Sequence, residues 1–195
     1  MYFKRKSCSA PKLVSNRSAG ADKFAGVIGP CKESLEQGRV DRIVLCRPAI
    51  EAGETIGFLP GNIEAKLAPY LRPMYDVLTE RLGAKRVKTL MAEGVIEIAP
   101  IAYLRGRTFN NAFVVVDEAQ NCTYIQLKML VTRYGWNSTL VLAGDPDQSD
   151  LLPGMSGLPE LLGRLKSLPS VNIISFQKDD VIRHPLVAAM LEYLD

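Results

Sequence analysis

Histidine is almost absent from this 195-residue chain, which carries one, His184. Its four cysteines, Cys8, Cys31, Cys46 and Cys122, stand apart with no C-x-x-C pair. A zinc site of Cys/His type therefore lacks its ligands. The scattered thiols form no disulfide framework, which suits a reducing compartment and sets a cytoplasmic expectation. Long apolar runs are missing too: none approaches the ~18 residues a membrane helix needs, so no membrane partner is expected. Charge of one sign is scarce. A formal net charge of +3 permits a nucleic-acid partner and equally suits a solvated surface of mixed sign.

What is present is the composition of an ordinary globular protein, 47% hydrophobic and 23% charged. The length fits one domain with a substantial core. The first twenty-one residues hold Lys4, Arg5, Lys6, Lys12 and Arg17, several serines and no acid. Such a segment is an organelle-targeting leader, an arm that grips nucleic acid, or a disordered basic tail. A disordered tail over residues 1–23 is the expectation adopted, with residues 24–195 as a single folded domain.

Beyond the tail, short apolar runs alternate with helical patterns. Strands are predicted at residues 42–46, 95–99, 113–116, 140–143 and 171–176. Helices are predicted at residues 70–82, 123–134, 158–165 and 187–194, with Thr123 as an N-cap and Gly83 and Gly135 as stops. Phe113-Val114-Val115-Val116 is continuously apolar, as a strand buried on both faces must be. Strand and helix in alternation predict an α/β fold, a mostly parallel sheet covered on both sides. Ligands of such sheets bind outside the carboxyl ends of the strands.

Two strand ends carry chemistry. Phe113–Val116 runs into Asp117-Glu118-Ala119-Gln120. A carboxylate mounted on a buried strand can hold Mg²⁺ on the β- and γ-phosphates of a nucleotide, and its neighbour can polarise the attacking water. Asp117 is the candidate metal ligand and Glu118 the candidate base; the plainer alternative is a solvated strand end followed by a helix cap. The second end, Leu140–Ala143, leads into Gly144-Asp145-Pro146-Asp147-Gln148. Gly144 permits a sharp exit, Pro146 fixes the turn, and the Gln148 amide could reach a terminal phosphate or a water. DEAQ followed by G-D-x-x-Q resembles motifs II and III of superfamily-1 helicases.

Arginines cluster on the same loops. Arg47 leaves the first predicted strand, and Arg105 and Arg107 precede the DEAQ strand; each is a candidate phosphate or RNA contact, or half of a structural salt bridge. Arg183, before the last predicted helix, is a candidate finger for transition-state charge.

Taken together, RIVLCRPAIEAGETIGFLPG, PYLRPMYDVL, GVIEIAPIAYLRGRTFNNAFVVVDEAQN, LAGDPDQSDL and DDVIRHPLV resemble the successive blocks of the PhoH family of P-loop ATPases. The resemblance covers Arg42 to the C-terminus. It implies a RecA-like three-layer αβα core, ATP and Mg²⁺ as ligands, a link to RNA metabolism and ring-like self-assembly into a homo-oligomer. Gly29, Gly144, Asp145 and Gln148 become the expected nucleotide contacts.

One block of that pattern is not found intact. The family's first strand is expected to enter a loop G-x-x-x-x-G-K-[ST], whose N–H groups cradle phosphates, whose lysine reaches the β- and γ-phosphates and whose hydroxyl binds the metal. Val27-Ile28-Gly29-Pro30 resembles the start of that segment, yet Cys31-Lys32-Glu33-Ser34 follows. A loop plus crossover helix needs roughly two dozen residues, and too few separate Gly29 from Ile43. The chain is therefore expected to lack loop and helix start, to bind ATP weakly and to be a poor ATPase in isolation. The alternative is a non-catalytic RNA-binding or assembly subunit.

Overall fold

The apolar runs at residues 42–47, 112–116 and 139–144 divide their side chains between two sides of a sheet. A computed structural model describes residues 12–16, 22–48, 63–176 and 190. In chain order the elements are β1 Lys12–Asn16, α1 Asp22–Glu36, β2 Arg42–Arg47, α2 Ile63–Leu82, α3 Ala84–Ala92, β3 Ile96–Pro100, β4 Ala112–Val116, α4 Tyr124–Val131, β5 Thr139–Gly144, α5 Leu158–Leu165 and β6 Asn172–Phe176. Short 3₁₀ turns occupy Ile101–Leu104 and Ala119–Asn121.

The six strands form one sheet in the order β3-β2-β4-β5-β1-β6, and each recorded pairing is parallel. Ile43, Leu45, Phe113, Val115 and Val141 point to one face, where Val27, Ile28, Met74, Leu78 and Val87 of α1, α2 and α3 cover them. Val44, Cys46, Val114, Val116, Leu140 and Leu142 point to the other, against Leu127, Leu130, Leu158 and Leu161 of α4 and α5. The period of two along each strand thus feeds two cores. The result is the expected three-layer αβα, RecA-like architecture. No helix among the described residues is long and apolar enough to cross a membrane.

Local chemistry sets the boundaries near the site. Thr123 caps α4 in a capping box: Gln126 N–H donates to Thr123 Oγ1 at 3.4 Å and Thr123 N–H donates to Gln126 Oε1 at 2.8 Å. Gly83 breaks the chain between α2 and α3 with φ of 83°, a region that glycine enters without strain.

Two expectations require correction. The segment read as a disordered tail contains β1, which pairs with both β5 and β6. Residues 27–30, read as the start of the phosphate-loop segment, lie inside α1. A Gly-Pro pair usually marks a turn, but Val27, Ile28 and Cys31 are buried at helical spacing and their burial decides the matter. The predicted helix at residues 187–194 lies outside the described residues except for Met190, which is helical.

Candidate functional site

The β2–β4 ladder runs one residue past the strand, with Asp117 N–H donating to Cys46 O at 2.8 Å. Asp117 is therefore held as rigidly as the sheet itself. Glu118 follows in the left-handed region, φ 52° and ψ 42°, where non-glycine residues are uncommon and which is often found at functional sites. The reversal lets the chain enter the 3₁₀ turn while both carboxylates stay at the sheet's end. Arg47, one residue beyond the Cys46–Val116 pair, reaches across. Its Nη2 donates to Glu118 Oε1 at 3.2 Å and its Nε lies 4.0 Å from Asp117 Oδ2. Arg47, expected on a phosphate, is paired here with the two acids.

Gln120 had no role in the sequence reading beyond completing DEAQ, and it is the residue that joins the two strand ends. Its buried amide donates through Nε2 to Glu118 Oε2 and, at 3.3 Å, to Gln148 O. Its Oε1 accepts Asp145 N–H at 3.0 Å. Ser149 Oγ donates back to Gln120 O at 3.1 Å, and Asn121 and Asp150 exchange a pair of bonds, both 2.8 Å. The DEAQN and GDPDQSD segments are thus stitched side chain to backbone. Gln120→Ala leaves the buried Asp145 N–H without its acceptor and is expected to cost about 1–3 kcal/mol, read as a lowered midpoint in urea unfolding with unchanged slope.

The same stitching explains Gly144. A Cβ there would meet Gln120 Oε1 at 2.7 Å and Gln120 N at 2.9 Å, so its small size serves this packing. Asp145 is fully buried, and its Oδ1 accepts Asp147 N–H at 3.1 Å. It builds the turn, as Asp does when it caps its own backbone two residues on, and offers no surface to a ligand. Both were expected to touch nucleotide; what the structure shows of them is that both shape the turn. Gln148 is exposed beyond that turn, so its side chain stays at the open end of β5.

The remaining candidates separate. Arg107 forks onto Glu97, with Nη2 2.6 Å from Oε2, and its guanidinium lies 5.1 Å from the Phe109 ring centre. The hydrogen bond from Arg107 holds the Glu97 carboxyl below its ordinary range. Arg107 is thus a structural ion pair, whereas Arg105 in the adjacent turn is exposed. Gly29 is exposed in the middle of α1 and is no part of a phosphate loop. Arg183 lies outside the described residues. Cys31, Cys46 and Cys122 are buried and unbridged; burial pushes the Cys122 thiol up to about 12 and raises those of Cys31 and Cys46 as well, as for inert core thiols.

Ser15 near the end of β1 is level with Gly144 at the end of β5. The phosphate-loop motif G-x-x-x-x-G-K-[ST] joins a strand to a helix; residues 17–24, which follow β1 in the sequence, read Arg-Ser-Ala-Gly-Ala-Asp-Lys-Phe and do not carry it.

For magnesium, a set of three His, Cys, Asp or Glu side chains is absent among the described residues. Asp117 is a single hard-oxygen donor on a rigid mount. That fits Mg²⁺, which usually takes one or two carboxylates and completes its shell with water and phosphate oxygens.

The sequence profile of the family described as PhoH-like protein matches residues 18–195. The chain is 46% identical over 178 residues to a PhoH-like protein of Bacillus subtilis, covering 91% of this chain and 56% of that one. It is 49% identical over 177 residues to Protein PhoH of Escherichia coli K12, covering 89% and 50%. With a PhoH-like protein of Synechocystis it shares 48% over 162 residues, 82% and 49%. The chain spans about half the length of these relatives. With its parallel RecA-like sheet, its DEAQ and GDPDQ strand ends and a family match over most of its length, the chain belongs to the PhoH-like family.

Proposed function

We propose that this chain is a PhoH-type nucleotide-site domain whose acidic half is intact and whose phosphate loop is missing, so that Mg-ATP binds weakly and is hydrolysed slowly. The observation that carries this reading is the pairing of strand ends: Asp117 and Glu118 leave β4 beside the GDPDQ turn of β5, in a sequence that holds no G-x-x-x-x-G-K-[ST]. In the reading, Asp117 holds Mg²⁺, Glu118 orients water and accepts its proton, and Gln148 contacts the terminal phosphate. Arg183 supplies positive charge to the transferring group, and exposed Arg105 meets RNA phosphates. Phosphoryl transfer depends almost wholly on positioning and charge stabilisation, so a lost cradle lowers both affinity and rate. Homo-oligomerisation, a cytoplasmic setting and a role in RNA metabolism belong to the same proposal.

A second reading is favoured by the missing G-x-x-x-x-G-K-[ST]: a non-catalytic RNA-binding or assembly subunit that keeps the scaffold alone. Calorimetric titration with Mg-ATP beside a sensitive phosphate-release assay separates the two. The expected result is a Kd of about 1 mM or weaker with slow turnover that Glu118→Gln abolishes. No nucleotide binding, together with salt-sensitive RNA binding, would establish the second reading. Micromolar affinity with brisk turnover would contradict the missing-loop argument.

A further inference from the structure

Arg47 lies where a cation would be drawn. We infer that it is the resident counter-ion of the Asp117–Glu118 pair and keeps a bare divalent cation out until a phosphate draws its guanidinium away. The inference rests on the reading of Asp117 as a magnesium ligand. It concerns how that ligand is kept before nucleotide arrives.

The geometry carries it. Arg47 ends β2, and the in-register β2–β4 pairing fixes its backbone beside Asp117. Its guanidinium contacts both acids, at 3.2 Å to Glu118 Oε1 and 4.0 Å to Asp117 Oδ2. Glu118 then has both oxygens engaged, Oε1 by Arg47 and Oε2 by Gln120 Nε2. Side-chain exposures of 25% for Arg47, 13% for Asp117 and 36% for Glu118 mean that water screens the group less than it would a surface pair. Arginine stays charged throughout the accessible pH range. A divalent ion taking Asp117 Oδ2 must therefore either displace the guanidinium or accept its repulsion at close range. Phosphate offers the way out, because its oxygens match the planar fork better than a single carboxylate oxygen does. The order that follows is metal admitted together with phosphate and excluded alone.

The test uses the whole chain and Mn²⁺ as probe, without nucleotide, followed by electron paramagnetic resonance. Arg47→Gln is expected to bind Mn²⁺ at least about tenfold more tightly than the unaltered chain, the effect of removing one charge at this distance in a partly screened site. Arg47→Lys keeps the charge and is expected to stay within about threefold of the unaltered chain, which a merely structural role would not predict. Equal affinities for Arg47→Gln and the unaltered chain, with binding lost in Asp117→Asn, overturn the inference and leave the metal site standing. Binding indifferent to Asp117→Asn in every background overturns the magnesium reading itself. Should Arg47→Gln fail to fold, the ¹⁵N resonance of Arg47 Nε in the unaltered chain decides. It is expected to move on adding inorganic triphosphate and to stay put with Mg²⁺ alone; either reversal sinks the proposal.

Discussion

The triple change Arg17→Gly, Asp22→Gly and Phe24→Thr is expected to tighten Mg-ATP binding by at least about a hundredfold. With these changes residues 17–24 read Gly-Ser-Ala-Gly-Ala-Gly-Lys-Thr, the phosphate-loop pattern written between a strand and a helix. Glycines let backbone N–H groups close on the phosphates, and the threonine hydroxyl joins Asp117 on the metal. Hydrogen bonds to a charged acceptor contribute about 1.5–3 kcal/mol each, and every 1.4 kcal/mol is tenfold in Kd; two regained bonds suffice. Calorimetry reads the affinity, and a phosphate-release assay should show turnover that a further Glu118→Gln change removes. An unaltered Kd in the triple variant would mean that the junction of β1 and α1 is not the phosphate site.

The second large effect is on folding. Gly157→Ala is expected to destabilise the protein by about 3 kcal/mol or more, at the upper end for forced overpacking. Gly157 is buried, and its N–H donates to Cys122 O at 2.8 Å. A Cβ at Gly157 would fall on the backbone N and Cα of Tyr124. Backbone cannot swing aside as a flexible side chain can, so α5 would separate from the segment after DEAQN or that segment would shift. Thermal unfolding should show a lowered Tm, and amide exchange should quicken first around residues 119–124 and 157–165. A variant as stable as the parent would refute this account of why α5 starts where it does.

The elements near the site were legible because they are locally written. β4 and β5 are buried on both faces and read as unbroken apolar runs. The bounds of α5 match its expected range, since an apolar stripe and Pro159 in its first turn mark it independently of context. The capping box at Thr123 was half visible, the cap foreseen and its Gln126 partner not. β1 was hidden, because five residues flanked by Lys, Arg and Ser carry too little pattern. What makes KLVSN a strand is a pair of partners far along the chain. α3 escaped notice because Val87 is its only residue buried outright. Among site residues, Asp117 and Glu118 were found from position at a strand end. Gln120 was not, because its work lies in bonds to Asp145 and Gln148 that no spacing rule announces. Arg47 and Arg107 were found as residues with contact and salt bridge both open, since the acids that pair with them come from other elements.

The position of β1 in the sheet has a consequence for how the chain reaches its native state. Lys12 pairs with Val141 and with Asn172, so the strand made early is seated between two strands made late. β2, β3 and β4 can zip together as they appear, whereas β1 must wait for β5 and β6 and bear the closure entropy of a very long loop. The seating of β1 is therefore completed near the end of folding. Until then one side of β5 stands open, an unpaired apolar edge that is the natural place for misassociation during synthesis.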